Sequence, residues 1–227
     1  MRAHAGTANI RERFMLLADE TIKVYASRLA SADPTPGGGS AAALTAVLGI
    51  SLTHMVGSLS EGREKYAEHA DFISGLICGA RRLQDGLLAL VDEDTAVFDD
   101  MSAAYKMPKD SAAEKAARRD AIQAALKACT ITPYKLMELC LQALELTAGA
   151  IGKTNRTVVS DLGVAALCLK SAAQSAWLNM LINLNSLKDA GFASQYREKG
   201  EAVLEKALPL ADGIYAAVKA ACGENGE

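Results

Sequence analysis

Aromatic residues are scarce: they make up 5% of the 227 positions, and tryptophan occurs once. Prolines number five. No segment alternates β-branched and aromatic residues between turn signals, which argues against a sheet as the framework. Histidines stand only at 4, 54 and 69, too few and too widely spaced for a ligand set, so no catalytic metal is expected. Neither sign of charge dominates, with 24 Lys and Arg against 27 Asp and Glu. That balance lacks the basic footprint that nucleic acid or an anionic membrane surface requires. The cysteines (Cys78, Cys129, Cys140, Cys168 and Cys222) are odd in number and form no C-x-x-C pair. They read as small core residues in a reducing cytoplasm, not as disulfides or a zinc site. Met1 to Glu20 holds no long apolar block, so a secretory signal is not expected.

What is present is helix. Half the chain is hydrophobic, enough to offset chain entropy and exclude wholesale disorder. Ala, Leu, Lys, Glu and Met, all strong helix formers, dominate between the few breaks. The expectation is an all-α, single-domain bundle over residues 1–227, with long, partly kinked helices around a buried apolar one. Periodicity predicts a first helix from Thr7 or Asn9 to Ala30, and the Pro/Gly segment 33–39 ends it. A second helix follows from Ser40 to about Leu59. No Asp, Glu, Lys or Arg occurs between Asp33 and Glu61, and a membrane span needs about 20 apolar residues. The segment has no basic flank or aromatic belt and contains Ser40, Thr45, Ser51, Thr53, His54 and Ser58, so the reading is a helix buried on all sides of a bundle. A third helix runs from near Arg63 to Tyr105. Ser111 to Glu114 forms a capping box that starts a fourth, kinked or split at Pro133. Residues 152–157 read as a loop. Ser160 or Asp161 then caps a helix to about Lys188, and the last begins at Ser194 and is interrupted by Pro209.

Three places carry more polarity or backbone freedom than folding needs. The first is Pro36-Gly37-Gly38-Gly39-Ser40, ahead of the apolar helix. It reads either as a tight connection capped by its serine or as backbone amides presented to an electronegative group. The second joins Asn155 to Asp161 with the following helix, where Asn179 and Asn183 share one face in an apolar run. Buried carboxamides bond either neighbouring helices or a ligand such as a flat heterocycle. In the third, an acidic run, Asp94 has apolar neighbours and faces inward, which suits a proton donor or acceptor. Asp92, Glu93, Asp99 and Asp100 read as a solvated face. His54 is either a hydrogen-bonded core histidine or a general base.

These residues resemble a known family. Pro34 to Ala43 is similar to the P-x-PGGGS-x-A signature of the cyclodeaminase domain of the formiminotransferase-cyclodeaminase family. The resemblance continues in order through Asp94 to Phe98, Tyr105 to Lys109, Asn155, Ser160 to Ala165 and Asn179 to Leu184. It implies an all-helical homodimer without nucleic-acid or membrane partners. The substrate would be a tetrahydrofolate derivative, with no permanently bound cofactor and no metal. Either of two activities fits: hydrolysis of 5,10-methenyltetrahydrofolate to the 10-formyl compound, or its formation from 5-formiminotetrahydrofolate with loss of ammonia. By the same resemblance Asp94 and Asp161 include the proton-transfer group, and Asn155, Asn179 and Asn183 read the pterin or order water. Pro36, Gly37, Gly38, Gly39, Ser40 and Ser160 would contact substrate, and Lys109 or Arg118 would attract its glutamate tail. The alternative is a non-catalytic helical folate-binding or interaction module.

Overall fold

The structure is a computed structural model that describes residues 16–223. Six α-helices occur among them and no strand: α1 (Ile22–Leu29), α2 (Gly38–Ser58), α3 (Ala70–Lys106), α4 (Ala112–Ala150), α5 (Val159–Leu184) and α6 (Ala190–Gly223). Helices α2, α3, α4 and α5 form a ring in which each packs on the next, and α6 covers the α4–α5 side. Ile50, Leu87, Met137, Leu144, Leu169 and Met180 are fully buried at its centre. Small residues set the spacing. A Cβ on Gly49 would lie 2.9 Å from Leu169, so α2 and α5 approach more closely than any larger residue permits.

The expected helix boundaries hold where the signal is local. Ser111 Oγ accepts from the Glu114 amide at 3.2 Å, and the Glu114 carboxylate accepts from the Ser111 amide at 2.7 Å. This completes the capping box. They move where a distant contact intervenes. The long first helix is broken: Leu17–Asp19 is a 3-10 turn, Glu20 is extended, and Thr21 caps a short α1 through the Val24 amide. The Leu17 amide donates to Asp92 Oδ1 at 2.6 Å, which ties this turn to α3. The predicted start at Thr7 or Asn9 lies outside the described residues. Only Tyr25 of α1 is buried.

Neither Pro133 nor Pro209 splits its helix. Ser160 and Asp161 do not cap α5, because Asn155 Oδ1 accepts from Thr157 and opens a 3-10 turn that runs into it. Helix α5 stops at Leu184, short of Lys188, and α6 begins at Ala190, where Asp189 Oδ1 accepts from the Phe192 amide. Helix α2 is the one helix among the described residues long and apolar enough to cross a membrane. It is enclosed by α3, α4 and α5, but not on all sides, since Leu48 and Met55 remain exposed. Cys129 and Cys140 are buried, whereas Cys78 and Cys222 are exposed and are not core residues.

Candidate active site

Gly37 occupies the N-cap position of α2 and has no side chain with which to cap it. The first intrahelical bond runs from the Ala41 amide to the Gly37 carbonyl, so the amides of Gly38, Gly39 and Ser40 have no acceptor within the helix. Asp94 of α3 takes one of them: the Ser40 amide donates to Asp94 Oδ2 at 2.9 Å. A carboxylate from another helix thus does the work of an N-cap side chain at the positive end of α2. Ser40 is therefore not the cap. Its hydroxyl is fully buried and shares a 3.0 Å hydrogen bond with the Tyr25 hydroxyl, so it supports Asp94 and does not line the pocket.

Asp94 reaches this position only because residue 39 is glycine. A Cβ there would stand 1.9 Å from Asp94 Oδ1. At Gly38 the same atom would meet Asn179 Oδ1 at an ordinary 3.4 Å, and at Gly37 nothing lies closer than 3.6 Å. Burial pushes the Asp94 carboxyl above its usual range, and the Ser40 amide pulls part of that back.

These groups border a cavity of about 360 Å³. Gly37, Gly38, Gly39, Asp94, Asn179 and Asn183 all line it, so the sequence's first and third places meet the asparagine pair of the second. Asn179 Nδ2 donates to the Ser175 carbonyl at 3.0 Å, and Asn183 Nδ2 donates to the carbonyls of Cys129 and Asn179 at 2.7 and 2.9 Å. Carbonyl oxygens only accept, so these amides must present NH2 to the backbone. Their Oδ1 atoms remain as acceptors at the pocket wall.

The apolar walls were less legible. Val97, Phe98, Met101 and Tyr105 follow Asp94 along one face of α3, a helical spacing already present in the sequence. Leu126, Cys129 and Ile182 complete the wall and show no comparable signal. The Cys129 thiol donates to the Val97 carbonyl at 3.3 Å, and burial, with Asp94 and Asp100 nearby, pushes its pKa up to about 11. It remains a thiol at neutral pH and is no nucleophile.

Other sequence candidates fall elsewhere. Pro36 is buried behind the loop, after a cis Thr35–Pro36 peptide, and does not line the cavity. Lys109 is exposed beyond α3 and does not line it either. Nor does Arg118 line it, but it donates to the carbonyl of the lining residue Tyr105 at 3.0 Å and lies 5.7 Å from the centre of that ring. Asn155, Ser160 and Asp161 lie at the opposite end of α2, roughly 30 Å away along a 21-residue helix. There the Asn155 amide donates to Ser60 Oγ and its side chain to the Leu59 carbonyl, so Asn155 joins the loop to the end of α2 and reads no ligand in this chain's pocket. His54 is well along α2, roughly 24 Å from Gly38, and is not its general base. Of the acidic run, Asp92 and Glu93 are not a free solvated face: Asp92 holds Leu17, and Glu93 accepts from Thr132 and Lys135.

A family model described as formiminotransferase-cyclodeaminase matches residues 21–202. The chain belongs to the formiminotransferase-cyclodeaminase family. Among relatives of this family, a methenyltetrahydrofolate cyclohydrolase from Methylorubrum extorquens is 36% identical over 90% of this chain and 98% of its own length. The formimidoyltransferase-cyclodeaminase of Rattus norvegicus is 30% identical over 90% of this chain, which spans only 38% of that longer protein. The crystal structure of a formiminotetrahydrofolate cyclodeaminase from Thermotoga maritima shares the fold, with a TM-score of 0.75 at 23% identity, covering 89% of this chain and 95% of that one. The matched residues include the glycine segment at the α2 terminus that receives Asp94.

Proposed function

We propose that the chain is a folate one-carbon enzyme that hydrolyses 5,10-methenyltetrahydrofolate to 10-formyltetrahydrofolate. The observation that carries this is the half-desolvated Asp94 carboxylate, fixed at the α2 terminus beside two carboxamide acceptors. The methenyl bridge is a cation shared by N5 and N10, and a carboxylate removed from water favours a cation beside it. Asp94 accepts a proton as water adds to the bridge carbon. The C–N5 bond of the tetrahedral adduct then breaks: Asp94 hands its proton to N5, and the adduct's hydroxyl proton leaves to solvent as the formyl C=O forms. Asn179 and Asn183 accept from pterin N–H groups, the aromatic and aliphatic wall packs the ring, and Arg118 faces the glutamate carboxylates. The reverse problem, N10 attacking a formimino carbon with ammonia leaving, uses the same tetrahedral geometry. The near-full-length likeness to a cyclohydrolase favours hydrolysis. Loss of the near-ultraviolet band of 5,10-methenyltetrahydrofolate, scaling with protein and yielding the 10-formyl compound, tests it. No acceleration over buffer sinks it in favour of ammonia release from 5-formiminotetrahydrofolate, and loss of both leaves a binding module.

The enzyme works in the cytoplasm as a homodimer. Leu48 and Met55 on α2 and Val164, Leu167, Leu178 and Ile182 on the adjacent α5 are exposed, with Ile182 at 69% although it lines the pocket. A second copy on this face shields that apolar surface and closes the pocket mouth. The outward stripe of α5 runs from Ser160 to Ile182. A twofold contact along it sets the Ser160 end of one copy beside the Ile182 end of the other, which brings Asp161 to a pocket. Mixing inactive Asp94→Asn and Asp161→Asn dimers should then restore about a quarter of wild-type activity, because half the dimers are mixed and each has one intact site. Full activity of Asp161→Asn alone rules out the shared site.

A further inference from the structure

Asn183 is held by two main-chain carbonyls, and one is available only because of a proline. In an α-helix the carbonyl of residue i accepts from the amide of residue i+4. Four residues after Cys129 stands Pro133, which has no N–H and whose ring crowds that same carbonyl. The Cys129 carbonyl accepts from Asn183 Nδ2 at 2.7 Å instead. Pro133 is buried inside α4, which continues as one helix from Ala112 to Ala150, so the proline serves no break in the chain. It does not line the pocket, whereas Cys129 and Asn183 both do.

We propose that Pro133 is a positioning residue for substrate. By withholding one amide from α4 it gives α5 a backbone acceptor, and that acceptor fixes the Asn183 carboxamide with Oδ1 toward the pocket. The ligand class is a ring with N–H donors, and this step rests on the folate reading above.

Pro133→Ala supplies an amide at the i+4 position that competes for the Cys129 carbonyl. The expected result is a KM for 5,10-methenyltetrahydrofolate raised about five- to ten-fold, with kcat changed by less than about two-fold. The melting temperature should stay within a few degrees of wild type, since the helix regains a hydrogen bond. Pro209→Ala is the matched control: it also removes a proline from a helix interior, but α6 contributes nothing to the pocket. It should leave KM unchanged. In an Asn183→Ala background, Pro133→Ala should add no further change. A ligand-free readout is independent of the folate assignment: the Asn183 side-chain amide protons, observed by NMR, should be protected from solvent exchange in wild type and released in Pro133→Ala. Unchanged protection or unchanged KM in folded Pro133→Ala overturns the proposal, as does a variant that fails to fold, which would make the proline structural. Wild-type protein that turns over no folate, yet shows the protection change, overturns the folate reading alone.

Discussion

Asp94→Asn is expected to lower kcat by on the order of 10²- to 10⁴-fold while preserving the fold. Asparagine keeps an oxygen that can accept the Ser40 amide, so the α2 terminus remains satisfied, but the side chain can no longer take the proton. The pH dependence follows from the same environment. As a base Asp94 must be ionised, so wild-type kcat/KM falls on the acid side with a midpoint above the 3.8 ordinary for aspartate, because burial raises it. That limb should vanish in Asp94→Asn. Stability should move the other way. A carboxyl whose folded-state pKa is raised contributes stability that is fully present below its unfolded value and is lost as pH rises through the folded one. Wild type therefore loses stability across that window relative to the variant, and Asp94→Asn should melt no lower than wild type at neutral pH. Thermal melts across pH with parallel assays check both. Near wild-type turnover would remove Asp94 from the acid–base role, and a wild-type melting temperature that rises with pH relative to the variant's would contradict the raised pKa.

Gly39→Ala should be the most damaging substitution in the loop. Its Cβ would stand 1.9 Å from Oδ1 and 2.4 Å from Cγ of Asp94, so the carboxylate must leave or the first turn of α2 must shift. Either movement breaks the Ser40–Asp94 bond. Overpacking of this kind costs about 1–3 kcal/mol of stability, and displacing the acid by an ångström costs about 10²-fold in turnover. Gly38→Ala is the comparison, since its Cβ meets Asn179 Oδ1 at 3.4 Å. It should stay within a few-fold of wild type. Equal tolerance at both positions would mean that the close approach of Asp94 is not what the glycines serve.

Much of this site can be read from the chain because its determinants are local. Asn179 and Asn183 fall on one face by spacing alone, Asp94 betrays itself by apolar neighbours, and the Ser111 cap needs only four residues. What the sequence obscures depends on partners far along it. Pro133 looks like a break until Asn183 is found on the Cys129 carbonyl that the proline frees, 54 residues from Cys129. Helical periodicity runs past Thr21, yet Asp92 holds Leu17 from 75 residues away and the chain turns there. The separation of Asp161 from Asp94 was nevertheless within reach. Short connections make successive helices antiparallel, so the start of α2 and the start of α5 fall at opposite ends. Counting helix directions, without any further contact, puts Asn155, Ser160 and Asp161 away from the glycine loop.

Helix α1 is eight residues long, and within the described chain its hold on the bundle rests on Tyr25 alone. Such a segment opens by itself at a small fraction of the cost of global unfolding. Yet the Tyr25 hydroxyl is the partner of Ser40, whose amide fixes Asp94. The most weakly anchored helix in the described chain therefore backs the carboxylate that the glycine loop receives. Loss of the Tyr25–Ser40 hydrogen bond is expected to loosen the backing of that carboxylate without altering any residue that lines the pocket.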